Sequence, residues 1–283
     1  VAPLYTPTGE CLYTVDNFGA TPSATPGTSV VPGASNAEGS FSAALLSPTQ
    51  DLAGLYLRVS DGGATTASKP HLLDIGVDPA GGTSFAAVIS NIVCGASGSL
   101  TAGGAHRFFF PLFVPAGATV AVRIQGANAT AGTVIVGLKG YGQLHRRHML
   151  PVGTFSETLG TITNSSGVSF TPGNASDGTW VSLGTTAKHM WFFQLAYQIT
   201  GGTITAERTW IELGAGPSGS QRVLLRRGHN GTATEQIGDM MDTQLVWHEG
   251  YHEIPAGTEL WVRGRCENAP DSGYDAVAIG IGG

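Results

Sequence analysis

One stretch of this chain is written twice. Val114-Pro115-Ala116-Gly117-Ala118-Thr119-Val120-Ala121-Val122-Arg123 returns as Ile254-Pro255-Ala256-Gly257-Thr258-Glu259-Leu260-Trp261-Val262-Arg263, at a shift of 254 − 114 = 140 positions. Asn128-Ala129 meets Asn268-Ala269 at the same shift. Upstream, Leu73-Asp74-Ile75-Gly76-Val77-Asp78-Pro79 answers Ile211-Glu212-Leu213-Gly214-Ala215-Gly216-Pro217. Gly27-Thr28-Ser29-Val30-Val31-Pro32-Gly33 answers Gly167-Val168-Ser169-Phe170-Thr171-Pro172-Gly173, and Gly39-Ser40-Phe41 answers Gly178-Thr179-Trp180. Downstream, Val134 to Gly140 aligns by residue likeness with Val277 to Gly283, at a shift of 277 − 134 = 143. Collinear matches of this kind mark a repeated structural unit. The expected organisation is therefore two units, residues 1–142 and 143–283, related by internal duplication.

Each unit is expected to be all-β. Val120, Val122 and Ile124 alternate with Ala121, Arg123 and Gln125, the period of a half-buried strand. Leu55 to Val59 and Phe193 to Tyr197 alternate likewise. Pro-Ala-Gly ahead of the repeated strand supplies a fixed φ and then a permissive residue, which is turn chemistry. About eight short strands per unit with short connections imply antiparallel pairing in a β-sandwich, jelly-roll-like, with an immunoglobulin-like order as the alternative. Thr234 to Leu245, with Ile237, Met241 and Leu245 at helical spacing, is a candidate helix on a loop, weakened by Gly238.

Composition removes several classes of function. The net charge of −6 and the presence of only three lysines (Lys69, Lys139, Lys188) give no footprint for nucleic acid or an anionic membrane. No apolar run approaches the roughly 20 residues that span a bilayer. No signal-like charged and apolar start follows Val1, a pattern that processing would remove. Cys11, Cys94 and Cys266 are scattered and odd in number, which reads as reduced thiols.

Catalytic motifs are thin, and the expectation is that the chain is not an enzyme and holds no cofactor. His248-Glu249-Gly250-Tyr251-His252 matches the pattern of zinc peptidases, which works only on a helix. Gly250 and the following Pro255-Ala256-Gly257 turn disfavour a helix, and in a strand the two histidines would stand about 13 Å apart. No metal site is expected there.

All five tryptophans (Trp180, Trp191, Trp210, Trp247, Trp261) fall in the second unit. Trp180 in place of Phe41 and Trp210 in place of Leu72 read as exchanges within the core. Trp247 in place of Arg107 and Trp261 in place of Ala121 fall on the opposite parity, away from it. An outward indole marks a protein interface or a sugar-stacking platform. Trp247, Trp261 and the nearby Tyr251 are the candidate contact residues.

The signature Ile/Val-Pro-Ala-Gly-x-x-x-x-Val-Arg, followed by Val-x-Ile/Val-Gly-Leu/Ile-x-Gly, resembles the jelly-roll domains of tailed-bacteriophage virion proteins. It is carried by Val114 to Arg123 with Val134 to Gly140, and by Ile254 to Arg263 with Val277 to Gly283. The resemblance implies a structural role on the virion exterior, in head decoration or a fibre ahead of a tail component. It implies many copies on a symmetric particle assembled in the bacterial cytoplasm, other virion proteins as partners, and no catalytic residues or cofactor. A carbohydrate-binding module that attaches to host surface glycan is the alternative function.

Overall fold

The computed structural model describes residues 13–19, 27–34, 36–61, 69–96, 106–126, 133–142, 152–160, 167–199, 208–230, 245–246, 253–267 and 273–283. Among these residues regular structure is entirely β. The first half contributes β1 (Thr14–Asp16), β2 (Thr28–Val30), β3 (Leu52–Asp61), β4 (Lys69–Asp78), β5 (Ala86–Ala96), β6 (His106–Phe110), β7 (Thr119–Gly126) and β8 (Val134–Gly142). The second contributes β9 (Phe155–Leu159), β10 (Val168–Phe170), β11 (Gly173–Asn174), β12 (Val181–Thr185) and β13 (Met190–Ile199). It continues with β14 (Arg208–Ala215), β15 (Arg222–Asn230), β16 (Leu245–Val246), β17 (Glu259–Cys266) and β18 (Tyr274–Gly282).

Strand order identifies the architecture. In the first half one sheet runs β1-β8-β3-β6, with β2 also on β8, and the other runs β5-β4-β7. Isolated bridges Glu38↔Gln125 and Leu46↔Val120 set the segment between β2 and β3 against β7. The second half has β10-β18-β13-β16, with β9 on β18, facing β11-β17-β14-β15, with β12 on β17. In each half the first strand pairs with the last, and consecutive strands are shared between two sheets. This interleaving is the jelly-roll order rather than the immunoglobulin one. Among the described strands every ladder is antiparallel except β11 with β17, and the isolated bridge Leu112↔Gly153 is also parallel.

The period-2 pattern places the core. Val120, Val122 and Ile124 of β7 point between the sheets with Leu55, Leu57 and Val59 of β3. Leu260 and Val262 of β17 do the same with Phe193, Leu195 and Tyr197 of β13. The alignment of Val134 with Val277 is corrected by the strand register. Gly27 (φ 134°) abuts the Val136 carbonyl, and Gly167 (φ 132°) abuts that of Ala276, so Val136 matches Ala276 and the shift stays at 140. A slip of three residues is odd and turns the strand over. It would set Val134, a core residue of the first half, on Val277, which faces outward.

The halves pack on one another. Leu72 and Val93 of the first sandwich cluster with Ala196 and Val277 of the second, and Phe192, Ile279 and Ile281 join the first half's apolar cluster. The open edge of β5 is covered by β9: Ser156 Oγ donates to the Val88 carbonyl, and Thr158 Oγ1 donates to that of Ser90 at 2.6 Å. Gln194 Nε2 donates to the Phe109 carbonyl at 3.2 Å. β18 is consequently buried on both faces, and its sequence from Ala276 to Ile281 is continuously apolar or small, as such strands are. Most of the candidate helix lies outside the described residues, and its last residue, Leu245, begins β16 and pairs with Gln194.

Candidate functional site

The outer face of the β11-β17-β14-β15 sheet carries the chemistry. Its residues arrive in cross-strand rows because the pleat aligns alternate positions of neighbouring strands. One row is Arg265–Trp210–Gly228, the next Arg263–Glu212–Arg226, and Gly214 beside Trp261 lies in a third. Glu212 is buried, 3% exposed, at the centre. Arg263 Nε donates to its Oε2 at 2.7 Å and Arg226 Nε to its Oε1 at 2.5 Å. Arg263 also reaches Asp177 Oδ2 through Nη2 at 2.7 Å, while its guanidinium lies 4.3 Å from the centre of the Trp180 ring. Trp180 in turn sits against Gly214, where an added Cβ would come within 2.7 Å of the ring. A buried carboxylate needs this many partners, since an unpaired charge in a low-dielectric setting is costly.

The first sandwich holds a counterpart at matching positions. Arg123 Nε donates to Asp74 Oδ2 at 2.8 Å, and its Nη1 reaches Glu38 Oε2 at 2.7 Å. Its guanidinium lies 4.8 Å over Phe41, which rests against Gly76. Asn91, with φ of 56°, donates its backbone N–H to Asp74 Oδ1 at 2.8 Å and stands where Arg226 stands in the second half. Leu72 occupies the place of Trp210 and Gln125 that of Arg265.

The two faces differ in what covers them. Leu72 is buried by the second sandwich. Trp210 is 51% exposed, with its benzo ring against Gly228. An open cavity of about 130 Å³ lies among Trp210, Arg226, Arg263 and Arg265, whereas the matching place beside Asp74 has no room for a water molecule.

Trp210 and Trp180 are thus not core exchanges. Both lie on the outer sheet face, Trp210 half exposed. The opposite correction applies to Trp261. Its parity is outward, between the core residues Leu260 and Val262, but it is only 9% exposed and its indole N–H donates to the Gly216 carbonyl at 2.7 Å. The turn after β14 already covers it, so its ring is not offered to a partner. Trp247, Tyr251, His248 and His252 lie outside the described residues. Among the described residues no cluster of His, Cys, Asp or Glu is arranged to hold a metal. Cys94 is buried, which pushes its thiol up to about 12.

No protein-family model matches the chain, and no curated protein matches it. Several solved structures are similar to it. A peptide-N(4)-(N-acetyl-β-D-glucosaminyl) asparagine amidase is 11% identical, with a TM-score of 0.42, over 95% of this chain and 96% of its own. A viral major capsid protein, STIV MCP, is 9% identical, with a TM-score of 0.39, over 95% and 96%. PNGF-II is 9% identical, with a TM-score of 0.40, over 84% of this chain; the match spans 59% of the PNGF-II chain. Likeness of this depth assigns neither activity nor partner. It does overturn one expectation. An amidase stands among the similar structures, so the conclusion that this chain is not an enzyme is withdrawn.

Proposed function

We propose that this chain is a structural protein on the exterior of a tailed-bacteriophage virion, in head decoration or a fibre ahead of a tail component. In this reading it assembles in the bacterial cytoplasm, contacts other virion proteins and is present in many copies on a symmetric particle. The proposal includes an origin by duplication, with residues 1–142 and 143–283 as the two copies. The observation that carries it is the pair of jelly rolls fused through an apolar interface, with one outer sheet left open at Trp210. A fused pair presents one fixed outer surface, which suits a part held on a particle.

Mass spectrometry and cryo-EM of the virions encoded with this chain test the reading. Paired jelly-roll density on the outer surface is expected. Absence of the chain from purified particles would overturn it. The half-exposed indole beside three arginines also favours the second reading, a module that binds host surface glycan.

A further inference from the structure

A single exposed tryptophan is common on protein surfaces and by itself says little. The surroundings of Trp210 say more, because the first sandwich shows what the same positions hold when no ligand can reach them. There, beside the arginine–carboxylate pair, stand Leu72, Asn91 and Gln125, and the other half of the molecule closes the place. In the second sandwich the same three positions are Trp210, Arg226 and Arg265, and the place is open. One change brings in an aromatic ring and two bring in guanidinium groups. The local balance goes from one arginine against Asp74 and Glu38 to three against Glu212 and Asp177.

The groups have separate tasks. Arg263 is committed to Glu212 and Asp177 and is held over Trp180, so it forms part of the floor. Arg226 gives Nε to Glu212 but keeps 57% of its side chain exposed. Arg265 is exposed and forms no ion pair among the described residues. It is the direct cross-strand neighbour of Trp210, which puts a planar donor fork beside a planar apolar ring. Guanidinium forks recognise carboxylates through paired hydrogen bonds, and an indole face takes the C–H face of a sugar ring. The cavity beside the ring is small, about 130 Å³, and lined by Trp210 and the three arginines. A single-stranded nucleic acid would need successive stacking rings along a basic groove, and the described face has one exposed ring.

We propose that the open face at Trp210, Arg226 and Arg265 binds an acidic carbohydrate, with the sugar ring stacked on Trp210 and its carboxylate held by Arg265 with help from Arg226. The site is independent of the virion reading, since it is a property of the folded chain in solution.

The test uses the full chain and three probes. These are a short oligosaccharide of alternating glucuronate and N-acetylglucosamine, the same oligosaccharide with its carboxylates reduced to alcohols, and polyglutamate of similar charge. Binding is followed by tryptophan fluorescence and by calorimetry. The variants carry the first sandwich's own residues, Trp210→Leu, Arg226→Asn and Arg265→Gln, and thermal melting confirms that each is folded. Saturable binding of the charged oligosaccharide is expected, with at least about tenfold weaker binding of the reduced one, since tenfold corresponds to a single modest polar interaction. Trp210→Leu should weaken both at least about tenfold, and Arg265→Gln should erase the difference between them. Failure of the wild-type chain to bind the charged oligosaccharide overturns the proposal. So does equal binding by Trp210→Leu, or competition by polyglutamate at equal charge, which would mark a site for anions of any kind. Absence from virions with saccharide binding intact would sink the structural reading alone.

Discussion

Trp210 and Trp261 share one face of one sheet, two rows apart, and have opposite surroundings. Trp261 gives its indole N–H to the Gly216 carbonyl in the turn after β14 and is 9% exposed, while Trp210 lies against Gly228 and is 51% exposed. Their substitutions should therefore separate. Trp261→Ala removes a buried ring and leaves a carbonyl without its donor, and should destabilise the chain by about 3 kcal/mol. Trp210→Ala should fall within about 0.5 kcal/mol of wild type, as exposed substitutions do. Urea unfolding of both variants checks this, and similar midpoints would show that the two indoles are not differently buried. The thiols give a second residue-scale expectation. Cys94 and Cys266 are buried, and only thiolate reacts readily, so a Cys11→Ser variant should show no thiol titre with an aromatic disulfide reagent until denaturant is added. Prompt labelling of the native variant would contradict the burial of these side chains.

At the scale of strands, the edge of β10 depends on a glycine that no other residue replaces without strain. Gly167 has φ of 132°, and a Cβ there would stand 2.4 Å from the Ala276 carbonyl oxygen. Gly167→Ala should cost more than about 1 kcal/mol through backbone strain alone and loosen β10 from β18, and Gly27→Ala should do the same to β2 on β8. Hydrogen exchange at Val168 to Phe170, compared with wild type, reads this out; unchanged protection would refute it. On β9, Glu157 is lifted above its ordinary value by desolvation, opposed by the N–H of Ala187 that its carboxylate accepts. A group whose folded value is raised binds protons more tightly when folded, so its contribution is present below the unfolded value near 4.5 and is lost as pH rises through the folded value. Glu157→Gln, which keeps the acceptor, should melt slightly higher than wild type at neutral pH and lose that advantage below pH 4.5. An equal difference at both pH values would rule out this cause.

How far the sequence exposed these features depended on the kind of information each required. The alternation in β7 and β17 fixed which residues face the core, because parity is local. Asp74 and Glu212 carried a signal as well: each is an acid inside an apolar run at matching places, and each repeat of the ten-residue match ends on the arginine that pairs with it. Their role was not visible because the arginine lies about 50 residues further along the chain. The match of Trp210 to Leu72 sets it in the core, but Leu72 is buried by the other sandwich and not between its own sheets. Parity puts Trp210 and Trp261 on one outer face and does not say what lies on top of each. The alignment of Val134 with Val277 failed for a related reason. β18 is apolar on both faces, so likeness of residues gives no parity to hold the register.

At the scale of the molecule, the apolar outer face of the β13–β18 pair is what joins the halves, and the matching face of the first sandwich shows why the joining stops there. Where the second half has Gln194, Ala196, Ile279 and Ile281, the pairs at the same register in the first half are Tyr56, Arg58, Lys139 and Tyr141. A head-to-tail interface that could repeat without closing would build filaments. The charged and half-buried residues on β3 and β8 deny the next chain an apolar surface to dock on, a use of charge familiar from exposed sheets. The same comparison supplies the test of what holds the halves together. Ile279→Lys puts into the interface the residue that β8 carries at the matching position, where it is half-buried at the surface. Each sandwich has its own apolar cluster, so the substitution should leave both folded and separate their stabilities. Burying an ammonium group without a partner in the first half's apolar cluster, which Ile279 joins, should cost at least about 2 kcal/mol. Scanning calorimetry should show one cooperative transition for the wild type and two resolved transitions for Ile279→Lys, the first below the wild-type midpoint. A single transition at the wild-type temperature would mean that Ile279 is not part of what binds the halves. Two transitions in the wild type would mean that the interface is too weak to couple them, and the account of β18 as a strand stabilised from both faces would have to be abandoned.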